Sequence, residues 1–275
     1  MCPRRSFKIF LGVVLLGVYL VALLLPTTQA TSSTPAVVFK KALRIMTYNI
    51  HVGVGLDKKL DLRRIADVIN KEKPDLVGLQ EVDRGVKRTE GKDEIVELAA
   101  MTKMDYAFAH NLDYQGGQYG VAILSRYLLK NVDHQMFENK REAERRGMLR
   151  VEVEIDGKLV NFVTTHLDYQ FEDGRVFETG QMLKLLDPIQ GPLIVVADLN
   201  DEPTGAAYKL MDQLFDDAWV VSKAKGDGFS YPADKPIKRI DHIFYRAETV
   251  KAKKAWVVTT LASDHLPVMA EVELK

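Results

Sequence analysis

Cysteine is all but missing from this chain: Cys2 is the one example in 275 residues. It precedes the long apolar run at residues 9–25, so the chain beyond that run can form no internal disulfide and no thiolate metal site. The same placement excludes a lipoprotein cysteine, which would come after a signal. Excess charge is absent too, with 38 basic residues against 38 acidic ones. No Pro/Gly-rich break, low-complexity tract or repeat divides the chain beyond residue 41. With 47% hydrophobic residues it can build a sizeable core, and a chain of this size buries about three quarters of its unfolded surface.

The N-terminus differs from the rest. Arg4, Arg5 and Lys8 precede the apolar run, and Pro26 and the small-residue stretch Thr28-Gln29-Ala30 come after it. That is the pattern of a secretory signal cleaved after Ala30. The alternative is an uncleaved anchor, because the run is close to the ~20 residues that span a bilayer. Either way residues 42–275 are expected outside the cytoplasm, periplasmic or secreted, with 31–41 as a linker and 42–275 as one domain. Without residues 1–30, 35 basic residues face 38 acidic ones, a net of −3. Tight non-specific duplex binding needs a basic face, so charge does not point to nucleic acid. A monomer without membrane contact after cleavage is expected.

Residues 43–48 alternate with period two, as a strand does. After Asp61, a candidate cap, Leu62, Ile65, Ala66, Val68 and Ile69 recur at helical spacing until Pro74 closes the helix. Residues 76–79 form an apolar strand that ends at Gln80-Glu81. Residues 94–101 and 177–186 read as helices, and another begins near Gly205. Further strands are expected at 120–125, 148–155, 159–165, 193–197, 240–245, 255–259 and 268–274. Many hairpin-joined strands with few helices imply an α/β sandwich: two sheets face to face with helices outside.

Several of these segments stop at polar residues: Asn49, Glu81, His166, Asp198 with Asn200, and Asp264-His265. Singly, each has an ordinary reading as a turn, a solvated end or a structural group. Jointly they point to one site, because strand ends in a sandwich converge on one rim. An acid where a buried strand emerges is costly unless something pairs with it. Mg²⁺ takes hard oxygen ligands and keeps several waters, so one or two carboxylates and an amide suffice. Glu81 is the first candidate ligand, with Asn49 and Asp264 beside it and Mn²⁺ as the alternative ion. Asp198 can orient or deprotonate an attacking water, and Asn200, His166 and His265 can donate to the phosphate. Asp241, in Arg239-Ile240-Asp241-His242, is the candidate to hold the other nitrogen of His265.

Seven motifs occur in order: Tyr48-Asn49-Ile50, Leu79-Gln80-Glu81-Val82-Asp83, Ala122-Ile123-Leu124-Ser125-Arg126, Thr165-His166-Leu167-Asp168, Ala197-Asp198-Leu199-Asn200, Arg239-Ile240-Asp241-His242 and Ser263-Asp264-His265-Leu266-Pro267. Together they resemble the signature of the endonuclease/exonuclease/phosphatase superfamily. That group includes deoxyribonuclease I, exonuclease III-type apurinic endonucleases, neutral sphingomyelinases and inositol-polyphosphate 5-phosphatases. The resemblance covers about residues 43–274. It implies a four-layer α/β sandwich of two mixed, mostly antiparallel sheets, and Mg²⁺-dependent cleavage of a P–O bond by water. By position it implies Asn49, Glu81 and Asp264 at the metal and His166 on the phosphate. It likewise implies Asp198 and Asn200 at the water and phosphate, and Asp241 paired with His265. Residues 231–236 and 84–119 look like the compact bacterial metal-dependent hydrolases of the group. Arg175 and Gln181 match that group as well, as substrate contacts or as a solvated helix face. Val121 departs from its usual asparagine, which removes one polar contact near the site.

The expected function is that of an exported, Mg²⁺-dependent phosphoesterase, a phosphodiesterase or a phosphatase. A non-catalytic phosphate-binding module on the same fold is the alternative from another class; it would dispense with Glu81, Asp198 or His265, all present here. A lipid head-group phosphodiesterase of sphingomyelinase type would need an exposed apolar hairpin, with Tyr169-Gln170-Phe171 and Tyr127-Leu128-Leu129 as candidates. A nuclease would need basic and aromatic groups along a groove. Lys87, Arg88, Arg141, Arg145 and Arg146 could supply the basic ones. Glu138, Glu142 and Glu144 dilute the second cluster, Arg141, Arg145 and Arg146, and a solvated charged segment is the simpler reading.

Overall fold

Alternating and apolar stretches become the strands of two six-stranded sheets. The computed structural model describes residues 42–275; the apolar run, its cleavage site and the linker lie outside the described residues. In chain order the strands are β1 (Leu43–Asn49), β2 (Leu76–Arg84), β3 (Asp105–Tyr114), β4 (Gly117–Ser125), β5 (Leu129–Met136) and β6 (Gly147–Ile155). They continue with β7 (Lys158–His166), β8 (Leu193–Asp198), β9 (Asp216–Asp217), β10 (Asp241–Tyr245), β11 (Val250–Val257) and β12 (Val268–Leu274). The helices are α1 (Leu62–Glu72), α2 (Glu94–Thr102), α3 (Glu172–Leu186), α4 (Ala206–Asp212) and α5 (Ala218–Val221). One sheet runs β11-β12-β1-β2-β4-β3 and the other β5-β6-β7-β8-β10-β9. Each has one parallel pair at its centre, β1–β2 and β7–β8, and all other pairs are antiparallel. A parallel pair needs a crossover, and α1 and α3 supply them.

Three apolar cores separate four layers. Between the sheets, Ile45, Val121 and Ile123 pack against Val151, Phe162, Val196 and Ile243. Behind the first sheet, Ile65 and Ile69 of α1 and Ile95 and Leu98 of α2 cover Met46, Val77 and Leu124. Behind the second, Met182 and Leu186 of α3 and Ala207 and Met211 of α4 cover Val163, Val195 and Phe244. The molecule is thus the expected α/β sandwich. At Gly78 the sheets come so close that a β-carbon would sit 2.2 Å from Val196 Cγ2 and 2.7 Å from Thr164 Oγ1. A polar link bridges the same seam: Gln80 Nε2 donates to Thr47 Oγ1 at 3.1 Å and to Thr164 Oγ1 at 2.9 Å.

The expected α1 stands: Asp61 accepts from Arg63 N, and the helix ends at a left-handed Lys73 before Pro74. Helix α3 begins at Glu172, ahead of the expected 177, because its polar first turn carries no apolar period. Strand β11 occupies Val250–Val257 instead of 255–259, its alternation hidden by lysines that face solvent or a bulge. Strands β3, β5 and β9 and helix α5 had no counterpart in the sequence reading. β3 turns only small or polar residues inward, Ala107, Ala109 and Asn111, and β5 is an edge strand with no buried residue, so neither shows an apolar rhythm. Among the described residues no helix is long and apolar enough to cross a membrane.

Candidate active site

Strands β1, β7 and β8 end, and β10 begins, at one rim of the sandwich, where β2 also bulges. Register makes this inescapable: Asp198 on β8 lies opposite His166 on one side and Asp241 on the other. On the first sheet Asn49 lies opposite Gln80, one residue before Glu81. The loop before β12 joins them, because Ser263 Oγ donates to Asn49 O at 2.8 Å and so brings Asp264 and His265 to the rim.

Glu81 reaches the site through a bulge. Leu79 pairs with Ala122 and Val82 with Gly120, so Gln80 and Glu81 together face Val121 alone. Glu81 takes φ +56°, left-handed backbone that a non-glycine residue adopts at a cost. His51 (+45°), the β-branched Val52 (+47°) and Asn200 (+50°) do the same beside the site. Strain of this kind gathers where surrounding structure imposes it for a purpose, and here it aims rim side chains.

Asn49 is wholly buried and bridges the two sheets. Its Nδ2 donates to Glu81 Oε1 at 2.9 Å and to Asp198 Oδ2 at 3.0 Å, while its Oδ1 accepts from His51 N at 3.0 Å. Asn49 thus holds two carboxylates in place, and its Oδ1 has a second lone pair beyond the one that His51 N occupies. Asn200 N donates to Asp198 Oδ1 at 2.9 Å. Asn200 Nδ2 donates to Leu167 O at 3.1 Å and lies 3.0 Å from His166 Nε2. Asp241 accepts from His265 Nδ1 at 2.9 Å, as expected, and His265 Nε2 lies 3.7 Å from Asp198 Oδ2. The ring of Tyr231 packs on His265 at 4.7 Å between centroids.

The two histidines are held in opposite protonation states. Burial would drive His265 towards neutrality, but Asp241 and Asp198 outweigh it and raise its pKa to about 10. Burial, with Arg146 and His265 nearby, pushes His166 well below its ordinary value. His166 Nε2 lies 3.5 Å from Asp198 Oδ2, and with a neutral ring that approach is not an ion pair. Asp198 is pushed up to about 6 by burial and by Asp241, against the pull of His265 and the Asn49 hydrogen bond. Groups whose surroundings push their pKa values apart are suited to acid and base roles.

Glu81, His166, Asp198, Asn200, Asp264 and His265 line a single cleft of about 740 Å³. Asn49 and Asp241 are buried behind it. Sequence reasoning missed Tyr119, Tyr231 and Lys238, which also line it, and undervalued Arg88 and Arg146. The charged segment is not uniformly solvated: Arg146 is 1% exposed. Lys87 and Arg145 are exposed, and Arg141 forks onto Asp173 at 2.8 and 2.6 Å. Arg175 and Gln181 do not reach the cleft. Arg175 donates to Asp168 O, and Gln181 pins Glu138 by its backbone N and O. Of the two apolar hairpins, Tyr169 stands at the cleft, whereas residues 127–129 come after the far end of β4, opposite the rim. Val121 faces the core between the sheets.

The donor chemistry fits a hydrated divalent cation. Glu81 and Asp264 are half-buried carboxylates on the cleft wall, hard oxygens with room for water. Asp198, Asp241 and His265 also bring ligand atoms within 4.8 Å of one another. Two sets of groups could therefore hold a cation: Glu81 and Asp264 on the cleft wall, and Asp198 and Asp241 beside His265.

A model of the endonuclease/exonuclease/phosphatase family matches residues 46–265. The uncharacterized protein YbhP of Escherichia coli (strain K12) is 27% identical over 248 residues, 85% of this chain and 97% of YbhP. The structure resembles an endonuclease/exonuclease/phosphatase of Beutenbergia cavernae DSM 12333, with TM-score 0.70 and 23% identity over 86% of this chain and 72% of that one. It also resembles a mannosyl-6-phosphatase of Bacteroides thetaiotaomicron VPI-5482, with TM-score 0.69 and 17% identity over 84% of this chain and 99% of that one. By sequence, by sheet topology and by the residues at its rim, the chain belongs to the endonuclease/exonuclease/phosphatase family.

Proposed function

We propose that this chain is an exported, divalent-metal-dependent phosphoesterase that hydrolyses a P–O bond by direct attack of water. One observation carries the reading: Glu81, His166, Asp198 and His265, from four separate chain segments, line one cleft. Glu81 and Asp264 would hold the cation, Mg²⁺ or Mn²⁺, whose charge opposes the charge gathering on the phosphoryl oxygens. Asp198, ionised above about pH 6, takes the proton of the attacking water. Asn49 and Asn200 fix its two oxygens. His265, kept charged by Asp241, donates from Nε2 to a phosphoryl oxygen. The water oxygen bonds to phosphorus and the bridging P–O bond breaks. The water's proton passes to Asp198, and the leaving oxygen takes one from solvent to depart as the alcohol.

The mannosyl-6-phosphatase of Bacteroides thetaiotaomicron supports phosphate-ester chemistry on this fold. The test is hydrolysis of aryl phosphate mono- and diesters with Mg²⁺ or Mn²⁺, with and without EDTA. EDTA is expected to abolish turnover, and Asp198→Ala to slow it by at least ~100-fold. Turnover indifferent to EDTA, or near-normal turnover in the variant, would refute the proposal. Export is read from the N-terminus: mature protein beginning near Thr31 supports a cleaved signal, and an intact Met1 the anchor.

A further inference from the structure

In the reaction above, the attacking water and the phosphoryl oxygens each meet a protein group, and the leaving oxygen meets none. A hairpin at the cleft, residues 230–238, carries a group placed to fill that gap. Its backbone closes on itself, with Ser230 N donating to Lys238 O at 2.8 Å and Lys238 N to Tyr231 O at 2.9 Å. It is also sewn to the loop that brings Asp264 and His265 to the rim. Ala233 N donates to Asp264 O at 2.8 Å, and Leu266 N donates to Ser230 O at 2.7 Å. Tyr231 is therefore held in a fixed relation to those two side chains. Its ring packs on His265 at 4.7 Å between centroids, tilted by 44°. Burial raises the pKa of its hydroxyl, and the nearby Asp264, Asp198 and Glu81 add to that rise, so the proton stays on the oxygen.

Other donors of the cleft are already engaged. Arg88 forks onto the buried Asp83, Nε to Oδ2 at 2.7 Å and Nη2 to Oδ1 at 2.8 Å. Tyr114 and Tyr119 lie under its guanidinium at 4.6 and 5.3 Å, on the wall of the first sheet. Arg146 Nη1 lies 3.0 Å from Glu144 Oε1. Tyr169, 58% exposed, turns its hydroxyl to Gln170 Nε2 at 2.6 Å. An amide nitrogen only donates, so at 3.0 Å from Asn200 Nδ2 the neutral His166 ring accepts through Nε2 and has no proton there to give. The hydroxyl of Tyr231 differs: among the described residues it has no hydrogen-bond partner, and it is not shut off from the cleft that Tyr231 lines. A free hydroxyl beside the imidazole that holds the phosphate can donate to an oxygen that is gaining charge. When the bridging P–O bond breaks, its electron pair moves to the leaving oxygen, and the charge there matters most for a poor leaving group.

We infer that Tyr231 is a further catalytic residue, whose hydroxyl donates a hydrogen bond to the leaving oxygen as the bridging P–O bond breaks. The leaving oxygen still takes its proton from solvent, and the hydroxyl stabilises its charge until then. The assignment rests on the phosphoesterase reading. Its test compares wild type, Tyr231→Phe and Tyr231→Leu with Mg²⁺ on 4-nitrophenyl and phenyl phosphates, as monoesters and as bis-esters. 4-Nitrophenolate departs readily without a donor, whereas phenolate needs one. Tyr231→Phe keeps the ring on His265 and removes the hydroxyl alone. It is expected to lower kcat on the phenyl esters by about 10- to 100-fold, the usual effect of a hydrogen bond to a charged group. On the 4-nitrophenyl esters kcat should change little, with KM and Tm unaltered on both. Tyr231→Leu, which also takes the ring off His265, should add a loss of equal size on both kinds of ester. An equal loss on both kinds in Tyr231→Phe, or no loss on either, would overturn the inference while leaving the phosphoesterase reading intact. Wild type that turns over none of these esters with Mg²⁺ or Mn²⁺ would instead refute the phosphoesterase reading, and this assignment would fall with it.

Discussion

The two sheets share one plan and put different chemistry on their rims. Each centres on a parallel pair, β1–β2 or β7–β8, crossed by a helix and flanked by antiparallel strands. Each backs its rim with a buried helix glutamate that accepts from a backbone N–H just past the rim residue. Glu94 holds Asp83 N and Glu178 holds Asp168 N, both at 2.8 Å. The first sheet then presents Glu81, half-buried and raised on a bulge, and the loop before its β12 adds Asp264. The second presents His166, Asp198 and Asp241, all buried. Glu81 and Asp264 are the more exposed carboxylates, and burial shifts the pKa values of His166 and Asp198, so equivalent strand ends carry different chemistry. His265, from the first sheet's side, crosses the seam to Asp241, and Asn49 crosses it to Asp198.

The largest effects should separate the rims. Asp198→Asn is expected to lower turnover by at least ~100-fold whatever the metal concentration. Glu81→Gln should lose rate at low Mg²⁺ and regain part of it as Mg²⁺ is raised. Equal rescue of both variants would erase the division of labour. Asp241→Asn, whose side chain bonds His265, should cost about 10- to 100-fold in kcat, with little change in KM. The seam gives a stability test. Gly78→Ala must push Val196 Cγ2 from 2.2 Å and should cost about 1–3 kcal/mol or more by chemical denaturation. Gly180→Ala on the outer α3 meets nothing within 4 Å and should stabilise by about 0.5–1 kcal/mol. A pH-dependent effect concerns the paired glutamates, whose pKa values burial raises from 4.5 to about 8 for Glu94 and about 7 for Glu178. The folded state keeps protons that the unfolded chain releases, so this stability is full below pH 4.5 and lost as pH rises through 7 to 8. Glu94→Gln keeps the acceptor for Asp83 N. Its Tm should match wild type near pH 5 and exceed it at pH 8; a pH-independent difference would contradict the buried, protonated state.

Much of this was legible because an apolar run that stops at an acid is a conspicuous conflict in a sequence. Glu81, His166, Asp198 and His265 are such conflicts, and register resolves them by placing strand ends together. The layer order was legible from hairpin-joined strands between a few helices. Three things were not. Bulge geometry at Glu81 left no glycine behind as a marker. Arg146 sits in a run of charges of which one alone is buried, and only the cleft decides which. The orientation of Asn49 depends on two carboxylates and a backbone N–H from beyond its own strand, so an amide at a strand end could be read as ligand or as bridge.

The most direct measurement of the division between rims is Mn²⁺ binding by calorimetry to wild type, Glu81→Gln and Asp241→Asn. With the cation seated on the first rim, Glu81→Gln weakens binding by about 10-fold or more and Asp241→Asn leaves it unchanged. The reverse order, with Asp241→Asn losing the ion and Glu81→Gln keeping it, would seat the cation among Asp198, Asp241 and His265 and contradict that division.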